Sequence, residues 1–337
     1  MRLVFVTQRL DPAHPALAAT IPMLRALAAR VDEVTVLTHG AAPGLELPAN
    51  CRVRTFGAPT QVGRGARFAW ALGRELARGR PGAVVAHMCP IYAILAAPLA
   101  RPLRVPVLLW FTHWRRRRKL ELAHRLATRV LTVDATTFPF ASDKVVPIGH
   151  AIDVDAFPPS YRGRDGGPLR LLMLGRYSPS KRYEAALRAA AATGAQLTIH
   201  GPQLTPEEEA HRRALERLNG ELGEPARLGD AVTGVLSLLR EADVLVNATA
   251  EGSADKVVFE AACAGVPVLW SAPAFAGLLP GELRFGTEEE LRERLAWFEA
   301  LPAAERERLG AAPRAAVAAG HSVGSWADAV LALSARS

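Results

Sequence analysis

Short apolar runs alternate with helix-patterned segments along this whole chain, and they do so in two separate series. The first series is Leu3–Val6, Glu33–Leu37, Ala83–Ala86, Val107–Trp110, Val130–Val133 and Lys144–Pro147. Runs this short and this apolar suit strands buried on both faces, and strands spaced by helices pair in parallel. The second series is Leu169–Leu174, Gln196–His200, Ala226–Leu228, Val244–Val246 and Val266–Leu269. Between them lies a Gly/Pro/Arg-rich stretch, Pro158 to Pro168, with the composition of a linker. The expected architecture is α/β, with two doubly wound Rossmann-like domains at residues 1-160 and 161-324 and a closing helix at 325-337. No repeat of fixed period relates the halves.

A length of 337 residues agrees with two domains, since one core seldom serves a chain so long. The intervening helices are expected at Pro15–Arg30, broken by Pro22, and at Arg67–Arg78, Lys119–Thr128 and Pro206–Glu221. Asp230–Glu241, Thr287–Leu309 and Ser325–Ala335 complete the set. Thr205-Pro-Glu-Glu-Glu places acids on a first turn, where the helix dipole favours them.

The three cysteines, Cys51, Cys89 and Cys263, have no metal-like spacing and fit a reducing compartment. The first residues lack the pattern of a signal peptide, and the apolar stretch Ala83 to Ala100 is interrupted by His87, Pro90 and Pro98. A cytoplasmic protein without a membrane span is expected. The net charge is +8, and the excess of Lys and Arg lies in the first half. Either that half faces something acidic or an Arg-rich composition accounts for it; the sequence leaves both open.

Two segments carry the chemistry. In Leu171-Leu-Met-Leu-Gly175-Arg176-Tyr-Ser-Pro-Ser180-Lys181, a Gly turn and two cations follow a strand and precede a helix. Such a turn can hold a diphosphate, Arg as a bidentate fork and Lys as a point charge. In the second, strand Ala242-Asp-Val-Leu-Val leads through Glu251-Gly-Ser-Ala-Asp-Lys to a helix over Val257 to Ala264. Its N-terminus would face whatever binds in the turn, and the ligand expected there is an anion, a phosphate.

Taken together, these segments resemble family 4 glycosyltransferases of the GT-B fold, retaining enzymes that use nucleotide-diphosphate sugars. The matching elements are Gly175-Arg176 with Lys181, Thr198-Ile-His-Gly-Pro202, Ala242-Asp-Val-Leu-Val and Glu260-Ala-Ala-Cys-Ala-Gly-Val-Pro-Val. Val146-Pro-Ile-Gly-His150 to Phe157 is similar to the family's interdomain segment. The resemblance implies two domains facing a central cleft, with the nucleotide on the second.

It also implies roles. Arg176 and Lys181 would stabilise the leaving diphosphate. Gly175 would let the backbone approach it, and Glu260 would accept hydrogen bonds from the ribose hydroxyls. Gly252, Ser253 and Ala254 would offer backbone N–H groups, and His113 would lie near the donor sugar. The sequence departs from the family in two places. Counting back from Glu260 to the usual first acid lands on Gly252, with Glu251 one position earlier, so either Glu251 swings in to contact the sugar as that catalytic acid or the acid is absent. Ser253-Ala-Asp255-Lys256 fits a variant of the motif, so Asp255 or Lys256 would share the donor contact. The loop Thr7 to Leu17 lacks the paired glycines of many members; Asp11 and His14 there read first as structural.

Trp114-Arg115-Arg116-Arg117-Arg118-Lys119 is the densest charge run and follows His113 directly. It reads as an acceptor or membrane surface, against the plainer reading of a solvated helix face. No stacking aromatics interleave it, which argues against nucleic acid. Asp153-Val-Asp155 reads as a turn and not as a metal site, no other ligand spacing suggests one, and no cofactor is expected beyond the donor substrate. The expected partners are a nucleotide-sugar donor, a glycan, lipid-linked or small-molecule acceptor, and an anionic membrane surface at the inner face. Two other functions stay open: a GT-B nucleotide-sugar epimerase and a non-catalytic donor-binding subunit.

Overall fold

The computed structural model describes residues 1–14, 17–249 and 252–335. The chain forms two compact units, Met1–Asp153 with Gly320–Ser337, and Val154–Ala319.

In the first unit, β1 (Arg2–Leu10), β2 (Glu33–Ala41), β3 (Cys51–Thr55), β4 (Ala83–His87), β5 (Val107–Trp110), β6 (Arg129–Thr132) and β7 (Val145–Pro147) form one sheet. Its order is β3-β2-β1-β4-β5-β6-β7 and every pairing is parallel. The central strands are buried along their length, as a sheet covered on both faces requires. The helices are α1 (Thr20–Ala28), α2 (Gln61–Ala77), α3 (Pro90–Ala100) and α4 (Arg118–Leu126). On one face Phe56, Phe68 and Tyr92 pack edge-on or tilted, with Phe56 and Phe68 centroids 5.4 Å apart. Each such side chain contributes roughly 1.5–3 kcal/mol by leaving water.

In the second unit, β8 (Arg170–Leu174), β9 (Gln196–His200), β10 (Ala226–Gly229), β11 (Val244–Asn247) and β12 (Val268–Trp270) form a parallel sheet of order β10-β9-β8-β11-β12. Its helices are α5 (Tyr183–Thr193), α6 (Pro206–Glu221), α7 (Val235–Glu241), α8 (Lys256–Ala264), α9 (Glu288–Ala300) and α10 (Ala303–Ala311). Thr205 caps α6 by accepting from the Glu208 amide, with Pro206 in the first turn. Gly265, at φ +80°, ends α8. At the start of β8, buried Asp243 accepts from Arg170 and Arg164 at 2.9 Å each, which fixes β8 beside β11.

The chain then passes through α11 (Arg314–His321) to α12 (Val323–Ala335), which closes the first unit. There Trp326 meets Trp110 edge-on at 5.9 Å, and Arg30 pairs with Asp328 at 2.7 Å. Gly149 explains the tight return: a Cβ on it would fall 1.9 Å from the Gly320 carbonyl oxygen.

Several elements differ from the sequence reading. Thr287–Leu309 is two helices because Pro302 cannot continue α9 and Leu301 before it is extended. The helix expected from Asp230 starts only at Val235, after Gly234 at φ +90°. The first helix begins at Thr20, its Pro22 falling in the first turn where a missing N–H costs nothing. The edge strand β3, alternating Arg with Val and Thr, was not anticipated.

Candidate functional site

β8 and β11 are neighbours, although β9 and β10 separate them in sequence, so the winding of the second sheet reverses between them. Polar groups that bind ligands collect at the carboxyl ends of strands at such a switch point. Both chemistry-bearing segments leave the sheet there.

After Leu174 the chain turns at Gly175, whose φ of +153° strains any side chain. A Cβ on Gly175 would lie 3.0 Å from Lys181 Cε, and one on Gly201 would lie 1.7 Å from the Gly175 carbonyl oxygen. The ends of β8 and β9 therefore meet backbone to backbone. Tyr183, buried, donates its hydroxyl to the same carbonyl at 2.8 Å. The turn is thus fixed before it reaches Lys181, which closes a short 3-10 turn, Pro179–Lys181.

The Lys181 ammonium donates to Asp255 Oδ2 at 2.6 Å and to Thr249 Oγ1 at 3.3 Å. Asp255 stands at the N-cap position of α8 but does not cap it. Its carboxylate instead accepts from Lys181, from Thr249 Oγ1 at 2.5 Å, from Asn247 Nδ2 at 2.8 Å and from Ser253 Oγ at 2.8 Å. Burial alone would raise its pKa; the Lys181 charge and these donors outweigh that and hold the carboxyl well below the usual carboxylate range.

Arg176 and Lys256 are also paired. Arg176 Nη1 lies 2.9 Å from Glu208 Oε1, with the guanidinium half exposed and Glu208 buried. Glu208 is fixed in turn by the Leu204 amide at 2.7 Å. Lys256 pairs with Glu260 one turn further along α8, and Glu260 is 6% exposed. Arg176, Lys181 and Lys256 each hold a carboxylate, so an anion entering this turn must share or displace it. Arg176 can share, because a guanidinium has five donors in a fixed fork. Gly252, at φ +83°, supplies the sharp turn before Ser253 and Ala254. Glu251 lies outside the described residues.

Asn247, Thr249 and Glu208 were missed in the sequence. The first two were visible as polar residues ending an apolar strand. Glu208 was read only as a first-turn acid of α6.

In the first unit His113 follows β5, and its Nδ1 accepts from the Arg115 amide at 3.1 Å. A cavity of about 330 Å³ opens there, lined by the apolar or weakly polar Cys89, Pro90, Ile91, Phe111 and Leu120 together with His113, Arg115, Arg117 and Lys119. Arg116 turns elsewhere, onto the Phe140 ring at 5.3 Å, and Arg118 opens α4. The basic run is therefore divided by the fold. Asp153 and Asp155 flank Val154 at a short 3-10 turn, and among the described residues no three His, Cys, Asp or Glu side chains gather as metal ligands. Among them also, no helix is long and apolar enough to cross a membrane.

No protein-family model matches this sequence, and no curated protein matches it. Solved structures do resemble it. HepE of Anabaena, in complex with UDP and glucose, matches over 99% of both chains with a TM-score of 0.77 at 15% identity. Sucrose-phosphate synthase of Thermosynechococcus elongatus matches over 99% of this chain and 98% of its own, with a TM-score of 0.79 at 16% identity. The lipopolysaccharide outer core galactosyltransferase WaaB, in its apo form, matches over 99% of both chains with a TM-score of 0.71 at 11% identity. The chain has a GT-B fold. Within that GT-B frame the Lys181–Asp255 contact belongs to the second unit, and the cavity beside His113 to the first.

Proposed function

We propose that this GT-B chain is a glycosyltransferase. It moves a hexosyl unit from a nucleotide-diphosphate sugar to a hydroxyl acceptor with retention of anomeric configuration, in the manner of family 4, in glycan or glycolipid biosynthesis. The observation that carries the reading is the Lys181–Asp255 pair, which joins the two turns at the switch point of the second sheet. HepE, a structure of the same fold, binds UDP and UDP-glucose, which supports this class of donor.

In this reading Arg176 and Lys181 meet the diphosphate and stabilise the charge that grows as it leaves. Gly175, Gly252, Ser253 and Ala254 bring backbone N–H groups close to it, and Asp255 and Lys256 frame the same turn. Glu260 accepts from the ribose hydroxyls once Lys256 yields it. His113 and Glu251 attend the sugar. No carboxylate is assigned as a covalent nucleophile. Attack on the front face lets the departing phosphate oxygen take the acceptor's proton, so retention needs no glycosyl-enzyme intermediate. No metal is required, and a cytoplasmic protein touching an anionic membrane peripherally fits the basic run.

A second reading, nucleotide-sugar binding without turnover, is favoured by the pairing of Arg176 and Lys181 with carboxylates. Incubation with UDP-, GDP- and ADP-hexoses and a panel of acceptors separates the two. Acceptor-dependent release of nucleoside diphosphate, with the donor's anomeric configuration in the NMR spectrum of the product, is the expected result. Inverted product would refute retention. Tight nucleotide binding with no transfer across the panel would favour the non-catalytic reading, and a changed sugar released without any acceptor would point to an epimerase.

A further inference from the structure

We infer that the cavity at the carboxyl ends of β4 and β5 binds a phosphate group carried by the acceptor. That the phosphate is carried by an acceptor rests on the transferase reading; the phosphate site stands without it.

Three cations, Arg115, Arg117 and Lys119, line this cavity, and among the described residues none of them forms an ion pair with a carboxylate. The contrast is with the second unit, where Arg176, Lys181 and Lys256 are each neutralised by an acid. Unneutralised cations gathered around one cavity repel one another, and an anion removes that cost. Two arginines fit a phosphate by forked hydrogen bonds, and the lysine adds a compact charge.

The backbone contributes in the same sense. α3 begins at Pro90 and α4 at Arg118, and residues from both first turns line the cavity. The N-cap residue of α4, Arg117, makes no side-chain capping bond, so this turn keeps N–H groups and positive partial charge for a ligand. The lining also includes the apolar Ile91, Phe111 and Leu120, and a cavity of about 330 Å³ is larger than a phosphate needs. The fitting ligand is therefore a phosphate ester whose apolar or sugar portion lies against these apolar side chains.

Glycerol 3-phosphate is the probe, titrated calorimetrically into the full chain at constant ionic strength, with glycerol as control. Saturable binding is expected, with affinity lowered at least about 100-fold in Arg115→Ala/Arg117→Ala, since two charged hydrogen-bond donors are lost together. The UDP response of the same variant is expected to match wild type, which keeps this test separate from that of the donor site and shows that the variant folds. Co-sedimentation with phosphatidylglycerol vesicles, against phosphatidylcholine, distinguishes the source. Binding of the free ester alone identifies a soluble phosphate, and vesicle binding lost in the double variant identifies a lipid headgroup. Either supports the site. Ester and vesicle binding that are both absent, or both unaffected by the double variant, would overturn it.

Discussion

Lys181 and Asp255 are 74 residues apart in sequence and 2.6 Å apart in space, bridging the ends of two adjacent strands that the chain reaches at different times. The pair positions Lys181 without ligand, and it sets the energetic condition for one: a diphosphate must offer Lys181 at least what Asp255 already does.

Lys181→Ala should weaken nucleotide binding and also destabilise the fold, because it strands a buried carboxylate; the loss should approach the roughly 3–5 kcal/mol typical of broken buried pairs. Lys181→Ala/Asp255→Asn should recover most of the stability and none of the binding. Urea unfolding beside nucleotide titration reads both quantities. Since the Asp255 pKa is depressed below 3.8, its stabilisation is present above that pH and is lost as the pH falls further. Asp255→Asn should therefore flatten the acid limb.

His87 gives a second pH dependence, in a higher window. It is buried beside Thr7 Oγ1 at 3.2 Å, and burial lowers its pKa from 6.5 to about 3. The folded chain keeps it neutral while the unfolded chain protonates it, so its contribution is complete above pH 6.5 and declines as the pH falls toward 3. The slope it adds is about 1.4 kcal/mol per pH unit. His87→Gln should reduce the slope of stability against pH by about one proton in that window, as measured by urea midpoints from pH 7 to 4.

Glu260→Ala should lower nucleotide affinity by roughly 1.5–3 kcal/mol, the worth of a charged hydrogen bond. Lys256→Ala, which frees the Glu260 carboxylate, should keep the preference for ribonucleotides over 2′-deoxynucleotides. Discrimination against the 2′-deoxynucleotide, read in the same titrations, should vanish only in Glu260→Ala.

Gly201→Ala is a steric test of the turn. The new Cβ would meet the Gly175 carbonyl oxygen at 1.7 Å and its carbon at 2.6 Å, both backbone atoms that no side-chain rotation can clear, so β8 or β9 must shift. Destabilisation at or above the upper end of the roughly 1–3 kcal/mol range for overpacking is expected, with nucleotide affinity falling as well. A thermal melt beside a nucleotide titration measures both.

The alternation of apolar runs with helical segments made two parallel α/β sheets legible in the sequence, because a strand buried on both faces cannot hide its composition. β3 escaped because an edge strand holding Arg52 and Arg54 has no such run. Pro302 marked the break between α9 and α10, but a strong acidic helix start at Thr287 masked it. In the site, Gly175, Lys181 and Asp255 could be singled out one at a time. Their joining depends on strand order, and so does the division of the basic run into Arg115, Arg117 and Lys119 on the cavity and Arg116 on Phe140. Strand order is a long-range property that local pattern does not carry.

The most direct test of the donor site is calorimetric titration of UDP, GDP and ADP into wild type and the stability-matched Lys181→Ala/Asp255→Asn variant. Saturable binding of one nucleoside diphosphate to wild type, weakened at least tenfold in the variant, is the predicted result. Equal binding to both proteins, or none to wild type, would contradict the account.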